Sequence, residues 1–136
     1  MTGDNHIPAL IAAAQKARTH AYAPYSGFTV GAALLGAGGA IYSGANVENA
    51  AYPQGQCAEA SALGQMVSDG EHRLSAVLVI AGGPLLITPC GGCRQRLFEF
   101  GSAGTPVHLC AEHGVVQTIS LGELLPLGFG PSTLGR

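Results

Sequence analysis

The chain has 136 residues, of which 47% are hydrophobic and only 10% are charged, and its formal net charge is -2. This length suits one compact domain over residues 1–136, with tails at about 1–4 and 131–136 that we expect to be flexible. The six lysines and arginines are scattered along the chain. This excludes a strongly basic face, and we expect no nucleic-acid partner.

The N-terminal segment MTGDNHIPAL lacks a basic region followed by an apolar one, so we expect no secretory signal. The longest weakly polar stretch, VGAALLGAGGAI, is too short to span a bilayer, which needs about 20 apolar residues. We therefore expect a cytoplasmic protein that does not associate with membranes. Thiols stay reduced in the cytoplasm, so closely spaced cysteines there favour metal or redox chemistry over disulfides.

The first half of the chain predicts a helix, a hairpin and a second helix. Apolar residues at helical spacing predict the first helix over residues 7–21. Two apolar runs, 28–36 and 40–48, are separated by a short break that contains glycine, and they predict a β-hairpin. Residues 56–70 follow a loop and predict a helix that ends near a glycine.

The second half alternates strands with helices. The continuous β-branched run at 74–83 predicts a buried central strand, and residues 89–101 predict a short helix that starts at a proline. Residues 105–110 and 115–121 predict a second hairpin, and 121–131 a helical turn with a proline-marked tail. Helices on both sides of a mixed, roughly five-stranded sheet indicate a three-layer α/β/α sandwich.

Three of the four cysteines fall at the starts of predicted helices. Cys57 opens one helix, and Cys90 and Cys93 open another in the segment PCGGCRQ. A helix N-terminus carries partial positive charge and stabilises thiolates, the form of cysteine that binds metal. Three sulfur ligands on a tetrahedral zinc ion leave one position open, which is the pattern of a catalytic site.

Two other uses of the cysteines remain open from the residues alone. Cys110, at the end of a predicted strand, could complete a four-cysteine structural zinc site, and a CxxC pair also fits a thioredoxin-type redox site. Glu59 follows Cys57 by two residues. Its carboxylate could simply favour the helix dipole, but beside an open zinc position it could carry protons, which favours the catalytic interpretation.

The segments CAE and PCGGCRQ fit the zinc-deaminase signature Cys-x-Glu with Pro-Cys-x-x-Cys. With PYSGFTVGAALL, GANVENAAYP and LLPLGFGP, they make the chain resemble cytidine deaminases of the small, free-nucleoside, homotetrameric type over nearly its whole length. The resemblance implies the fold of that family and hydrolysis of cytidine and 2'-deoxycytidine to uridine and 2'-deoxyuridine, with release of ammonia. It also implies one Zn²⁺ per subunit on Cys57, Cys90 and Cys93, with Glu59 as the proton shuttle.

Candidate substrate-binding residues lie outside these two segments. Asn46 and Glu48 are two apart at a predicted strand end, so they share a face and could hold a hydroxyl group, or could merely cap a loop. The resemblance implies that they hold the sugar 3'-hydroxyl and that Phe28 packs against the pyrimidine ring. It also implies further pocket residues, some from a neighbouring subunit: Tyr25, Ala50, Tyr52 and Phe129.

The chain departs from this family at one position near the site. The family commonly has arginine directly after the glutamate, where this chain has Ala60. Three thiolates and Zn²⁺ sum to a net charge near -1, which calls for a cation nearby. We expect Arg94, directly after Cys93, to hydrogen-bond a thiolate and supply that charge.

Two rival functions are retained. A blasticidin-S-type deaminase would share the zinc core, although the segments NVENA and FTVGAALL favour a cytidine enzyme. A non-catalytic structural zinc-binding module would need neither an open zinc position nor Glu59. The histidines lie outside any ligand-spaced motif, and we expect all five at the surface or in loops: His6, His20, His72, His108 and His113.

Overall fold

All nine predicted elements form, mostly with shorter bounds than the sequence patterns suggest. A computed structural model describes residues 3–84, 86–112 and 114–136, with Gly3 and Asp4 described by their backbone only. The strands are β1 Val30–Gly36, β2 Ile41–Ala45, β3 Leu74–Ala81, β4 Pro106–Ala111 and β5 Gly114–Ser120. The helices are α1 Ile7–Arg18, α2 Ala58–Ser68, α3 Gly91–Phe100 and α4 Leu121–Leu124.

Strand β1 starts two residues later than the sequence predicts because side chains take up the backbone groups just before it. The N–H of Phe28 donates to the Ser26 hydroxyl, and the carbonyl of Phe28 accepts from the Asn46 amide. These hydrogen bonds replace the ladder that a strand would make. Residues 25–29 therefore form a loop at the edge of the sheet, next to the candidate site.

The five strands of the described chain form one mixed sheet in the order β2-β1-β3-β4-β5. Neighbouring strands pair antiparallel except β3 and β4, which run parallel with Val77 opposite Val107 and Ile80 opposite Cys110. A parallel pair needs a crossover connection, and α3 provides it. Helix α3 therefore begins just beyond the carboxyl end of the central strand β3.

Alternate residues of the central strands face two separate hydrophobic cores. One core lies between the sheet and α1, and its largest buried members are Leu10, Leu35, Leu78 and Ile80. The other lies between the sheet and α2, α3 and α4, with Leu34, Met66, Val79, Leu97, Leu109 and Leu121 among its members. One helix on one face and three on the other confirm the predicted three-layer α/β/α architecture.

His108 lies inside the sheet, so the expectation that every histidine is at the surface or in a loop is wrong. Its side chain is 1% exposed on β4, and its Nδ1 lies 2.8 Å from the Thr118 hydroxyl oxygen on β5. The cross-strand pairing of these two residues explains the burial of a polar ring. His113 lies outside the described residues.

Two glycines let helices approach the sheet at backbone contact distance. A Cβ atom on Gly31 of β1 would lie 2.0 Å from the Ala14 carbonyl oxygen, and one on Gly44 of β2 would lie 2.5 Å from the Ala62 nitrogen. No side chain fits at either position. The close packing at Gly44 presses α2 onto the edge strand β2 and so fixes where α2, with Cys57 and Glu59 at its start, sits on the sheet.

The chain ends carry short 3-10 turns at Gly3–His6 and Pro131–Leu134. Met1 and Thr2 lie outside the described residues, and the flexibility expected of both tails stays a prediction. Among the described helices, none has the length and apolar character needed to cross a bilayer.

Candidate metal centre and substrate pocket

Two helix N-termini bring three cysteine sulfurs together. Cys57 is the N-cap of α2 and Cys90 is the N-cap of α3, and both have extended backbone that turns the chain into its helix. Cys93 lies in the first turn of α3. The three Sγ atoms all lie within 4.8 Å of one another, and those of Cys57 and Cys90 are 3.8 Å apart.

The sulfur cluster fits a zinc ion. Tetrahedral zinc with Zn–S bonds of about 2.3 Å holds its sulfur ligands about 3.8 Å apart, which the Cys57–Cys90 pair already matches. Cys110 lies outside the cluster: it is buried on β4 and its thiol donates to the Ala111 carbonyl at 3.2 Å. The four-cysteine arrangement is therefore not formed, and zinc would have three protein ligands.

The pKa values of the three thiols are shifted in different directions by their surroundings. Burial raises the pKa of Cys57 and that of Cys93, and the Cys90 sulfur and the Glu59 carboxylate add to the effect at both, while a hydrogen bond with Cys93 opposes it at Cys57. The pKa of Cys90 is lowered, chiefly because the N–H of Cys93 donates a hydrogen bond to its sulfur. Helix N-terminal stabilisation of thiolate therefore dominates at Cys90 only. Anionic ligands crowded in this way are stabilised by a divalent cation.

Glu59 is a buried carboxyl group beside the sulfurs. It lies in the first turn of α2 and is only 4% exposed. Burial raises its pKa, while a backbone hydrogen bond and the positive charge of Arg96 act in the opposite direction. A carboxylate that served only the helix dipole would remain in water, because burying a charge is costly. Its burial favours the interpretation of Glu59 as a functional group.

A pocket of about 380 Å³ leads to this centre. Cys57, Glu59 and Cys90 line it, and Phe28 is also part of its wall. Ile87 and Thr88 line it as well, and the sequence patterns did not select them. Their position directly before the PCGGC segment is the signal that could have identified them, since the loop that delivers two ligands must also border the site.

Asn46 and Glu48 line the same pocket, and both brace the 25–30 segment. Asn46 accepts from the Val30 N–H at 2.8 Å and donates to the Phe28 carbonyl at 2.8 Å. Glu48 accepts from the N–H groups of Tyr25 at 2.9 Å and Ser26 at 3.2 Å, and from the Ser26 hydroxyl. These hydrogen bonds, that of the Ser26 hydroxyl foremost, lower the pKa of Glu48.

The bracing leaves both side chains with spare hydrogen-bonding capacity. The Asn46 amide has a second N–H, and the Glu48 carboxylate has further lone pairs. The loop-capping alternative therefore describes real contacts of these residues, and it is compatible with a role in binding a hydroxyl group.

The other expected pocket residues are dispersed over the surface. Tyr25 and Tyr52 line an adjoining pocket, also of about 380 Å³, which shares Glu48 and Gly55 with the first. Their rings stand edge to face with centroids 6.0 Å apart. Ala50 and Phe129 line neither pocket. Phe129 is 56% exposed, and its carbonyl accepts a hydrogen bond from the Gln95 side chain.

Arg94 does not hydrogen-bond a sulfur, and that expectation is wrong. Its guanidinium donates to the carbonyls of Pro89 at 2.8 Å and Leu124 at 3.0 Å, and to the Thr88 hydroxyl at 3.1 Å. The side chain is directed back over the loop that precedes α3, where these oxygens lie. Arg96 is the arginine at a thiol: its Nη1 lies 3.7 Å from Cys93 Sγ.

Comparisons with known proteins agree with this arrangement. The sequence profile described as "Cytidine and deoxycytidylate deaminase zinc-binding region" matches residues 5–118. The chain is 43% identical over 128 residues to the cytidine deaminase of Sporosarcina psychrophila, covering 94% of each. It is 45% identical over 120 residues to that of Halalkalibacterium halodurans, covering 88% of this chain and 91% of the relative.

Solved structures give the same result in three dimensions. The crystal structure of cytidine deaminase from Burkholderia pseudomallei superposes with a TM-score of 0.84 at 44% identity, covering 90% of this chain and 98% of that one. The crystal structure of cytidine deaminase from Mycobacterium tuberculosis superposes with a TM-score of 0.80 at 38% identity, covering 90% and 96%. The likeness to each of these structures therefore extends over 90% of this chain.

Proposed function

The chain belongs to the cytidine and deoxycytidylate deaminase family, and from this premise we propose which of its residues carry out the zinc-dependent hydrolytic deamination of cytidine. The observation that carries the assignment is the cluster of three sulfurs within 4.8 Å of one another, with the buried Glu59 beside it in the wall of a pocket. Cys57, Cys90 and Cys93 would hold the ion. Bound zinc would supply a Lewis acid that eases ionisation of the attacking water near neutral pH.

Glu59 moves the protons of the reaction. Its carboxylate accepts a proton from the attacking water and delivers it to N3 of the pyrimidine ring, which makes C4 electrophilic. The water oxygen bonds to C4, and Glu59 then carries the remaining proton of this new hydroxyl group to the exocyclic amine, so that the C4–N bond breaks, ammonia leaves and a C4 carbonyl remains. A group that is base first and acid later works best with a pKa near the operating pH. The burial of Glu59, which raises its pKa, supports this role.

The pocket walls supply substrate binding. Phe28 offers an aromatic face for the pyrimidine ring. The unused N–H of Asn46 donates to, and the carboxylate of Glu48 accepts from, a sugar hydroxyl. We include 2'-deoxycytidine as a substrate, since this arrangement recognises a hydroxyl common to both nucleosides. Tyr25 and Tyr52 extend the wall on the side of the adjoining pocket.

Ala50 and Phe129 complete the pocket in an assembly. We propose a homotetramer in which a neighbouring subunit contributes to each site. The exposure of Phe129 and Tyr52, 56% and 75%, supports this, because large apolar side chains at a surface favour association. We also propose that the protein acts in the cytoplasm, where free nucleosides are available.

Loss of the ultraviolet absorbance of cytidine, measured with and without a metal chelator, tests the proposed function. Turnover that the chelator abolishes and added zinc restores supports it. A zinc-loaded, folded protein that leaves cytidine unchanged would support a non-catalytic zinc-binding module. Turnover of blasticidin S in preference to cytidine would support the other rival.

A further inference from the structure

We propose that Arg96 balances the negative charge of the zinc–thiolate centre and thereby strengthens zinc binding, an inference that rests on the proposed role of the cysteines. Arg96 Nη1 lies 3.7 Å from Cys93 Sγ, within reach of a hydrogen bond to sulfur. Cys93 is 0% exposed, whereas Arg96 is largely exposed. The guanidinium therefore approaches the innermost ligand from the solvent side.

Helix geometry places Arg96 at this sulfur. Residues three apart lie on the same helix face, and helical side chains lean toward the N-terminus, so Arg96 folds back over Cys93 and the first turn of α3. The space it occupies is left by Gly92: a Cβ atom there would lie 3.1 Å from Arg96 Nη1. At Gly91 a Cβ atom would meet nothing within 4 Å.

The charge of the centre determines what this arginine does. Binding zinc displaces the thiol protons, so three neutral thiols become three thiolates with one divalent ion, a set of net charge -1. Glu59 adds further negative charge when ionised. A fixed positive charge close by lowers the free energy of the loaded centre relative to the empty one. Arginine suits the purpose because it stays protonated at every relevant pH.

Arg94, the other arginine of this turn, is committed elsewhere. Its three hydrogen bonds to oxygen hold the loop before α3 against Leu124.

Ala60 faces Arg96 across a shallow surface depression that both residues line. A longer side chain at position 60, next to Glu59 on α2, would extend into the space beside the guanidinium. The positive charge beside the Cys93 sulfur is therefore supplied by Arg96 of α3, and not by a side chain at position 60 of α2.

Zinc affinity tests the proposal apart from enzyme activity. The dissociation constant for Zn²⁺ is measured at fixed pH by competition with a chromophoric chelator, for wild type, Arg96→Gln, Arg96→Lys and the double variant Arg96→Gln with Ala60→Arg. Arg96→Gln should bind zinc about 10- to 100-fold more weakly, the usual effect of losing a partner of a metal ligand. Arg96→Lys and the double variant should recover part of the loss. In the Co²⁺-substituted protein, Arg96→Gln should also shift the thiolate-to-metal absorption.

The matched control is Arg73→Gln, which removes an exposed arginine from the turn before β3 and should leave zinc affinity unchanged. Wild-type zinc affinity in folded Arg96→Gln would overturn the proposal, as would an equal loss in Arg73→Gln. An equal loss in Arg96→Lys would overturn the charge argument as well. Failure of the proposed function has a different signature: zinc-loaded wild type would leave cytidine unchanged, whatever the zinc affinities.

Discussion

The sulfur atoms of Cys57 and Cys90 lie 3.8 Å apart although the two residues are 33 positions apart in the chain. Each belongs to the N-cap of a different helix, and α2 and α3 both pack on the same face of the sheet. The metal centre therefore joins the first turns of two helices that are neighbours on the sheet. Zinc should stabilise the fold as well as the reaction, because it binds the native arrangement and not the unfolded chain.

Metal analysis of the purified protein should find about one zinc per chain. Cys90→Ser should lose most of it, because a hydroxyl is a poor substitute for thiolate in a sulfur site. Cys110→Ser is the control, since Cys110 bonds to a backbone carbonyl away from the cluster, and its zinc content should remain that of wild type. Full zinc in Cys90→Ser, or zinc loss in Cys110→Ser, would contradict the ligand assignment.

Glu59→Gln should keep its zinc and its fold but lose nearly all turnover. Glutamine preserves the shape of the side chain and cannot carry a proton between water and the pyrimidine. Proton transfer by a placed group is worth roughly 100- to 10,000-fold in rate. The test compares the steady-state kcat of Glu59→Gln with that of wild type, using protein whose zinc content has been verified. A variant within about tenfold of wild type would exclude Glu59 as the proton carrier, since the barrier would then have changed by only about 1.4 kcal/mol.

Glu48→Gln should weaken substrate use in two ways, because it loosens the 25–28 segment and weakens the proposed acceptor of the sugar hydroxyl. The carboxylate accepts from two backbone N–H groups and the Ser26 hydroxyl, whereas an amide offers one oxygen and presents its own N–H groups to those donors. We expect kcat/KM to fall roughly 10- to 100-fold, mainly through KM, because misplacement of positioning groups has effects of that size.

Glu71→Gln is the control for that experiment. Glu71 also caps backbone N–H groups, those of Gly38, His72 and Arg73, but at the far end of the β1–β2 hairpin. Its loss should affect stability and leave KM unchanged. Equal changes in KM for the two variants would mean that Glu48 acts through general stability and not through the pocket.

The same Glu71 predicts a pH dependence of stability. Its backbone hydrogen bonds, that of the Gly38 N–H foremost, hold its pKa below the usual value of a glutamate. A group whose pKa is lowered in the folded state stabilises the protein above its unfolded pKa, about 4.3 for glutamate, and this contribution is lost as the pH falls through the lower folded value. The difference in Tm between wild type and Glu71→Gln should therefore be largest near neutral pH and vanish in acid. A difference independent of pH would contradict this account.

Sedimentation or light scattering should find a homotetramer at assay concentration. Phe129→Ala should reduce activity more than it reduces the stability of one chain, because the side chain is 56% exposed and lines neither pocket of its own subunit. Leu134→Ala, at another exposed apolar position near the C-terminus, is the comparison variant. A fully active monomer would refute the shared pocket.

Local sequence patterns were sufficient for the order of the elements and for naming Cys57, Cys90 and Cys93 as candidate ligands, although they left Cys110 open as a fourth. Helical spacing of apolar residues, glycine and proline breaks, and the continuous apolar run of β3 are short-range signals, so each element could be predicted with only its ends displaced. Cys57 and Glu59, and Cys90 and Cys93, lie within one helical turn of each other. The two members of each pair are therefore placed near each other once a helix is predicted to start at Cys57 and another at Cys90.

The tertiary structure alone decided which neighbours surround that set. Arg94 and Arg96 are the same residue type in the same short helix, so the sequence allows either one as a possible partner of a sulfur. Arg94 donates to carbonyl oxygens outside α3, whereas Arg96 reaches Cys93. The difference arises because the direction of a helical side chain depends on its position around the helix and on the atoms packed nearby. The exclusion of Cys110 follows from the face of the sheet that it occupies, because it belongs to the core on the α1 side while α2 and α3 pack on the other face. Contacts between residues far apart in the chain are set by how helices pack on the sheet, which no local pattern encodes.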